Sequence, residues 1–520
     1  MRLTQGLHRS VQVRPEGMAT IFGERRRTWR EMRERVARFA AGLAALGLKR
    51  GDRVAVIAFN SDLYIEAYYA IAWAGGVIVP GNFRWSAPEH IYAMQDSGAR
   101  FLLVDRAFAQ LAEPLASACD LDAVLLLDAD AAPAPGGLRT TEDLIRDTAP
   151  MEDACGEGDD LAGIFYTGGT TGRSKGVMLS HGSLISNFLA TNALVPYPQD
   201  VVFLHSPPMF HLADAACIVG VTICAGTHAV VPFFSPENVV KAIEAHRVTA
   251  AVLVPTMFGM LGEYLAGNPA DLSSVRQVKY GASPISESLL REAMEMFPNA
   301  EFMQAYGQTE LPPCATLLEH RFHKPGKDGK SWLRSAGRAI YGMDVRIVDE
   351  DMAEQPLGSV GEIVARGPGV MLGYWNLPEV TAKTLVDGWV RTGDAGYMDE
   401  DGFVYLVDRV KDMIVSGGEN VFSAEVENAL AAHAAVAECA VIGVPDDKWG
   451  ERVHAIVRLK DGATATPDEI IAHCKELIAG YKCPRSVEIR AEPLPLSGAG
   501  KILKTELRKP WWEGKTRSIG

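Results

Sequence analysis

The sequence predicts an α/β protein with a large N-terminal domain of parallel-sheet α/β subdomains, a small barrel-like β region, and a small α+β C-terminal domain. Three observations carry that prediction. Helical patterns alternate with short aliphatic runs up to about residue 330, which is the signature of parallel sheets covered by helices. A turn-rich stretch of half-exposed strand patterns follows. Past Asp408 a charged, glycine-containing junction leads into a compact mixture of helix and strand patterns.

Taken in order, residues 30–46 space Met32, Val36, Phe39, Leu43 and Leu46 at three- and four-residue steps, which predicts an amphipathic helix. Gly47 supplies its C-terminal stop, and residues 54–58 read as a buried strand. Residues 65–73 predict a helix, and 76–79 and 101–104 predict strands. The same alternation returns as a helix at 239–246 and a strand at 250–254. In the turn-rich region, 345–348 and 361–364 predict strands. In the last unit, helices are expected at 423–432 and 467–479, with strands at 439–444 and 453–459. The segment Pro510-Trp511-Trp512 is expected to dock through its tryptophans or to fray. Lys504 and Lys509 read as solvated charges.

The 520 residues are 48% hydrophobic and 22% charged, enough chain to bury a large core and enclose a small molecule. Fifty-one Lys+Arg against 65 Asp+Glu give a net charge of -14, which sets aside nucleic acid and anionic lipid as main partners. The eight cysteines show no metal-binding spacing and read as reduced core residues. Residues 215–234 are apolar but broken by Gly226-Thr227-His228, so a buried helix and strand fit better than a membrane span. With no apolar leader at the N-terminus, a cytoplasmic protein is expected.

The chemistry concentrates in one loop. After the short apolar run Ile164-Phe165-Tyr166 come Thr167-Gly168-Gly169-Thr170-Thr171-Gly172-Arg173-Ser174-Lys175-Gly176. Glycines let the backbone approach an anion and aim N–H groups at it, the hydroxyls add donors, and Lys175 adds charge. The spacing is not that of a Walker A loop. Gly172 to Gly176 also fits the nucleophile elbow of α/β-hydrolases. That elbow needs an immediate helix, whereas residues 177–181 read as a second strand. The flanking Arg173 and Lys175 suit a bound anion better than a buried nucleophile.

The chain resembles the AMP-forming acyl-CoA synthetases, relatives of firefly luciferase and amino-acid adenylation domains, over nearly its whole length. The loop is similar to the family's phosphate loop, with Gly168 where Ser is usual and Ser174 where Pro is usual. Tyr306-Gly307-Gln308-Thr309-Glu310 resembles the adenine and metal motif. The resemblance implies Tyr306 on the adenine, Thr309 at the α-phosphate, and Glu310 with Thr170 at Mg²⁺. Trp389 to Asp394 resembles the ribose motif, with Asp394 on the hydroxyls. The stretch from Asp408 to Asn420 is similar to the junction of a 1–408 domain with a mobile 409–520 domain, implying Arg409 at the ribose, Lys411 as hinge, and Gly417 and Gly418 beside CoA. The segment around Lys501 resembles the motif of the catalytic lysine. His205 to His211 is similar to an acyl-site motif, with His211 near the carboxylate. Gly281, Ala282 and Ser283 would floor the nucleotide and acyl sites.

The reaction so implied joins a carboxylic acid to AMP from MgATP, releasing pyrophosphate. The small domain then rotates so that the acyl group passes to CoA. An amino-acid adenylation domain would place an Asp where His211 stands; a luciferase-type oxygenase and a non-catalytic nucleotide binder are further rivals. Retention of Lys501 and Glu310 speaks against the last. The expected acyl walls His211, Leu212, Val254, Met257, Ala282, Ala305 and Leu311 are mostly apolar, which favours a fatty or aromatic acid. Asp214 is the oddity there, read as an entrance residue or a group specifying a polar acid. A homodimer is compatible with all of this.

Overall fold

The computed structural model describes the chain except residues 130–132, 168–172, 199, 327–328, 410–412, 417–418, 447, 497–501 and 514–520. Two large sheets organise the N-terminal part. One has eight strands, with Arg53–Ile57, Val77–Pro80, Phe101–Val104 and Ala123–Leu126 running parallel. These strands are short aliphatic runs buried on both faces, so the sequence shows them as continuous rather than alternating patterns. The helix between the first two, Asp62–Trp73, is buried along its whole length and capped by Ser61. It even buries Asp62 and Glu66, which pair with Arg25, Arg27 and Arg35. Trp29–Ala45 starts with a reciprocal Thr28–Glu31 capping box.

The second sheet has nine strands. Its centre is five parallel strands in the order Glu301–Tyr306, Gln277–Gly281, Ala250–Leu253, Val202–His205 and Thr227–Val230. The apolar window at 215–234 resolves into the helix Leu212–Ile223 and the strand Thr227–Val230. Among the described residues no helix is long and apolar enough to cross a membrane.

A five-stranded antiparallel sheet built on Asp344–Val348, Gly361–Arg366 and Trp389–Met398 forms the turn-rich region. The last unit is a separate five-stranded sheet, in which Val436–Asp446 and Gly450–Leu459 pair along their lengths. Helices Ser423–Ala431 and Pro467–Leu477 bury Val426, Leu430 and Ile470 against it. The tail docks: helix Lys504–Trp512 donates the Trp512 Nε1–H to the Gly443 carbonyl at 3.0 Å. Lys504 corrects the expectation of a solvated charge, because it lies 2.7 Å from Glu427 with only 18% of its side chain exposed. All eight cysteines are free thiols; Cys155 is exposed rather than in the core.

Candidate active site

In parallel α/β sheets, ligands bind outside the carboxyl ends of the strands. Four of the expected site segments leave four adjacent strands at that end. Val202–His205 leads to His211, Ala250–Leu253 to Val254 and Met257, Gln277–Gly281 to Ala282 and Ser283, and Glu301–Tyr306 to Gly307, Thr309 and Glu310. The backbone there packs so closely that side chains are excluded at two glycines. A Cβ on Gly281 would stand 2.1 Å from the Ala305 carbonyl oxygen, and one on Gly307 would stand 2.2 Å from that of Pro313. Ala282 adopts φ +65°, a strained conformation for a non-glycine residue of the kind found at ligand sites.

The loop from Thr167 to Lys175 joins two antiparallel strands, Leu161–Thr167 and Lys175–Ser180, with Thr167 opposite Lys175. A strand, not a helix, follows it, so the hydrolase elbow does not form. Its flanks are anchored: the Tyr92 hydroxyl donates to the Ser174 carbonyl at 3.1 Å, and Arg173 lies over the Tyr92 ring. Gly168, Gly169, Thr170, Thr171 and Gly172 lie outside the described residues.

Lys175 lies 4.5 Å from the ring centroid of Tyr374, and the Tyr374 hydroxyl donates to Glu310 Oε1 at 2.7 Å. Glu310 is 7% exposed, so it is not the solvated charge that a lone glutamate near a glycine usually is. Burial, and then the Glu310 charge, push the Tyr374 hydroxyl well above its ordinary pKa, so it stays a proton donor. Tyr374 escaped the sequence reading. Its one available signal is an aromatic residue beside Gly373, and only the strand pairing of Tyr374 with Val177 brings it to Lys175.

Tyr306 and Asp394 meet directly, the tyrosine hydroxyl donating to Asp394 Oδ2 at 2.9 Å. Asp394 is 9% exposed within Trp389–Met398, and Thr392 Oγ1 accepts from its backbone N–H at 3.1 Å. Glu362 fixes the turn before it by accepting from the Gly393 N–H and from Arg391. Arg409 is the cross-strand partner of Asp394 in backbone register. Lys411, Gly417, Gly418 and Lys501 lie outside the described residues.

His211 is the N-cap of helix Leu212–Ile223, with Nδ1 accepting from the Ala213 N–H at 3.3 Å. The apolar wall is divided. Val254, Met257 and Ala282 pack in one cluster, Ala305 and Leu311 in a second, and Leu212 in the core of the first sheet. Leu212 and Leu311 are 2% and 0% exposed and present almost no surface in this conformation. Asp214 corrects the expectation of an entrance residue. It is fully buried and lies 2.8 Å from His205 Nδ1, while His205 Nε2 contacts His228 Nδ1 at 2.9 Å. Burial raises the Asp214 pKa, and His205 opposes that rise.

Among the described residues no cluster of three or more His, Cys, Asp or Glu could hold a metal alone. A single buried carboxylate, Glu310, fits an ion that takes its other oxygens from nucleotide phosphates and water, as Mg²⁺ does.

Residues 7–375 match the model of the AMP-binding enzymes, and residues 425–501 match the AMP-binding enzyme C-terminal domain. A feruloyl-CoA synthase of Amycolatopsis sp is 38% identical over 96% of this chain and 97% of its own length. A fatty acid–[acyl-carrier-protein] ligase of Streptomyces coeruleorubidus is 36% identical over 98% of this chain and 96% of its own. The o-succinylbenzoate CoA synthetase of Bacillus subtilis, solved with an acyl-adenylate intermediate, superposes with a TM-score of 0.83. It is 30% identical, over 96% of this chain and 97% of that one.

Proposed function

Because the chain belongs to the AMP-binding enzymes, among the AMP-forming acyl-CoA synthetases, we propose that it activates a fatty or aromatic carboxylic acid with ATP and passes the acyl group to CoA. The observation that carries this reading is convergence. Lys175, the pair Tyr306 and Glu310, and Asp394 come from three different sheets and are linked through Tyr374 and two short hydrogen bonds, Tyr374 to Glu310 and Tyr306 to Asp394.

In the first half-reaction an oxygen of the substrate carboxylate attacks the α-phosphorus of ATP. The new bond is C–O–P, and the bond to pyrophosphate breaks. Tyr306 offers its ring face to the adenine, and Asp394 accepts from the ribose hydroxyls with Arg409 alongside. The loop from Thr167 to Lys175 holds the phosphates by backbone N–H groups, hydroxyls and one ammonium. Thr309 and Lys501 steady the α-phosphate, and His211 positions the acid at the helix N-terminus it caps. Glu310, with Thr170, would hold Mg²⁺, which supplies positive charge to the phosphates when bound. In the second half-reaction the 409–520 domain turns about Lys411, Gly417 and Gly418 come beside the pantetheine arm, and the thiolate attacks the acyl carbonyl as AMP leaves.

The test is pyrophosphate–ATP exchange across a panel of carboxylic acids. Exchange with at least one acid, and thioester formation once CoA is added, is the expected result. Silence across the panel contradicts the ligase reading. Adenylate formation without thioester points to another acyl acceptor. For Lys501→Ala, adenylation falls by roughly a hundredfold or more while thioester formation from preformed acyl-adenylate is kept, on the scale of losing one charged contact to a developing charge. Equal loss of both halves contradicts the role given to Lys501.

A further inference from the structure

The segment that carries His211 is held from behind by side chains that the reaction above does not use. It leaves strand Val202–His205, passes through Ser206-Pro207-Pro208-Met209-Phe210, and enters helix Leu212–Ile223 at His211. Two prolines leave it short of backbone donors, so its polar groups take partners from outside. Asn60, buried just past the carboxyl end of strand Arg53–Ile57, donates to the Pro207 carbonyl and accepts from the Met209 N–H, both at 2.8 Å. Tyr68, on the buried helix Asp62–Trp73, donates to the Met209 carbonyl at 2.9 Å. The His211 N–H closes a turn on the Pro208 carbonyl.

The ends of the segment are tied to each other. Asp214 stands nine positions beyond His205, and its Oδ2 lies 2.8 Å from His205 Nδ1. Nε2 of the same ring meets His228 Nδ1 at 2.9 Å, and His228 Nε2 meets Thr222 Oγ1 at 3.1 Å. All four side chains are fully buried. With both ring nitrogens engaged, His205 cannot turn without breaking a contact. Asp214 is the third residue of its helix, where an acid commonly caps the helix's own first N–H groups. Here the carboxylate reaches another strand instead, and its Oδ1 has no hydrogen-bond partner among the described residues. For stability alone, an apolar pair of similar volume does as well or better. What the polar pair adds is direction, because it fixes the first helical turn against the strand and so sets the His211 ring. That ring is partly exposed, while His205, Ser206 and Asp214 behind it are buried. Its Nδ1 accepts from the Ala213 N–H, which puts the proton of the neutral ring on Nε2.

We propose that Asp214 and His205 are positioning residues for adenylation: their pair, braced by Asn60, sets the reach of the His211 Nε2–H to the substrate carboxylate. This rests on the ligase reading and adds to it the residues that place His211.

The experiment measures kcat and KM for acid and for ATP in pyrophosphate exchange, with melting temperatures alongside. It uses the best acid of the panel above, cinnamic and octanoic acids included. His205→Leu and Asp214→Val made together replace the pair by apolar groups. This double variant is expected to melt within a few degrees of the wild type. Its kcat/KM for the acid falls by roughly ten- to a hundredfold, the scale of a reacting group misplaced by about an ångström, while KM for ATP stays within about twofold. Asp214→Asn, which keeps an acceptor for His205, retains most of the wild-type rate. The same double change in a His211→Ala background costs less than about twofold, because the residue it positions is gone. Equal loss in both backgrounds, or a parallel rise in KM for ATP, shows a merely structural pair and overturns the inference. So does a His211→Ala enzyme as active as the wild type. If the double variant fails to fold, Asn60→Ala enters the same cycle, with the same cancellation expected and the same results overturning it. No exchange with any acid overturns the ligase reading, and the inference with it.

Discussion

At the scale of single residues, the site depends on groups that restrain other groups. Tyr374 is the main case, because one ring faces Lys175 while its hydroxyl holds Glu310. Tyr374→Phe keeps the ring and frees the carboxylate. The expected outcome is a fall in kcat/KM for adenylation of roughly ten- to a hundredfold with an unchanged melting temperature, on the scale of a hydrogen bond to a charged acceptor. An unchanged exchange rate would show that Glu310 is oriented without it. Pairings of this kind are what the sequence hides. Glu310 and Asp394 were legible from their motifs, but Tyr374 reaches Lys175 and Glu310 only through a strand pairing between residues far apart in the chain. Asp214 misled for the same reason: nothing in its own segment marks its partner His205, which stands on a separate strand.

At the scale of elements, the buried parallel strands were the most legible part, since strands covered on both faces must be short aliphatic runs. The hairpin of Leu161–Thr167 and Lys175–Ser180 was legible too, because a glycine-rich turn between two apolar runs has few other solutions. The close approach of Gln277–Gly281 to Glu301–Tyr306 was invisible, because spacing between strands leaves no trace in a single segment. It carries its own prediction. Gly281→Ala drives a methyl group into the Ala305 carbonyl and must separate the strands where the site segments begin. A loss of about 1–3 kcal/mol in urea unfolding and a sharp rise in KM for ATP are expected. Wild-type values for both would mean that the sheet yields there at no cost.

At the scale of the whole molecule, buried histidines set the response to acid. His90, His181 and His323 are 1%, 3% and 3% exposed, and burial lowers each pKa from 6.5 to about 4. The unfolded chain therefore takes up protons first. Their contribution is complete above pH 6.5 and is lost as pH falls toward 4, on the order of 3 kcal/mol per histidine. Asp105, pushed up to about 6 by burial, and Asp214 act in the opposite sense over part of that range, but the histidines outnumber them. The melting temperature is expected to fall steadily from pH 7 to pH 4.5, and a flat profile would contradict it. The strand Gly373–Tyr374 has a different kind of consequence, for engineering. It zips onto the hairpin strand Lys175–Ser180 at Val177 and Met178, while the Met371 N–H beside it donates to the Glu310 carbonyl. The hairpin is therefore not a portable cassette. A graft of residues 161–180 into a homologous scaffold would arrive without the segment that registers it against Glu310, so residues 371–375 must be transplanted with it.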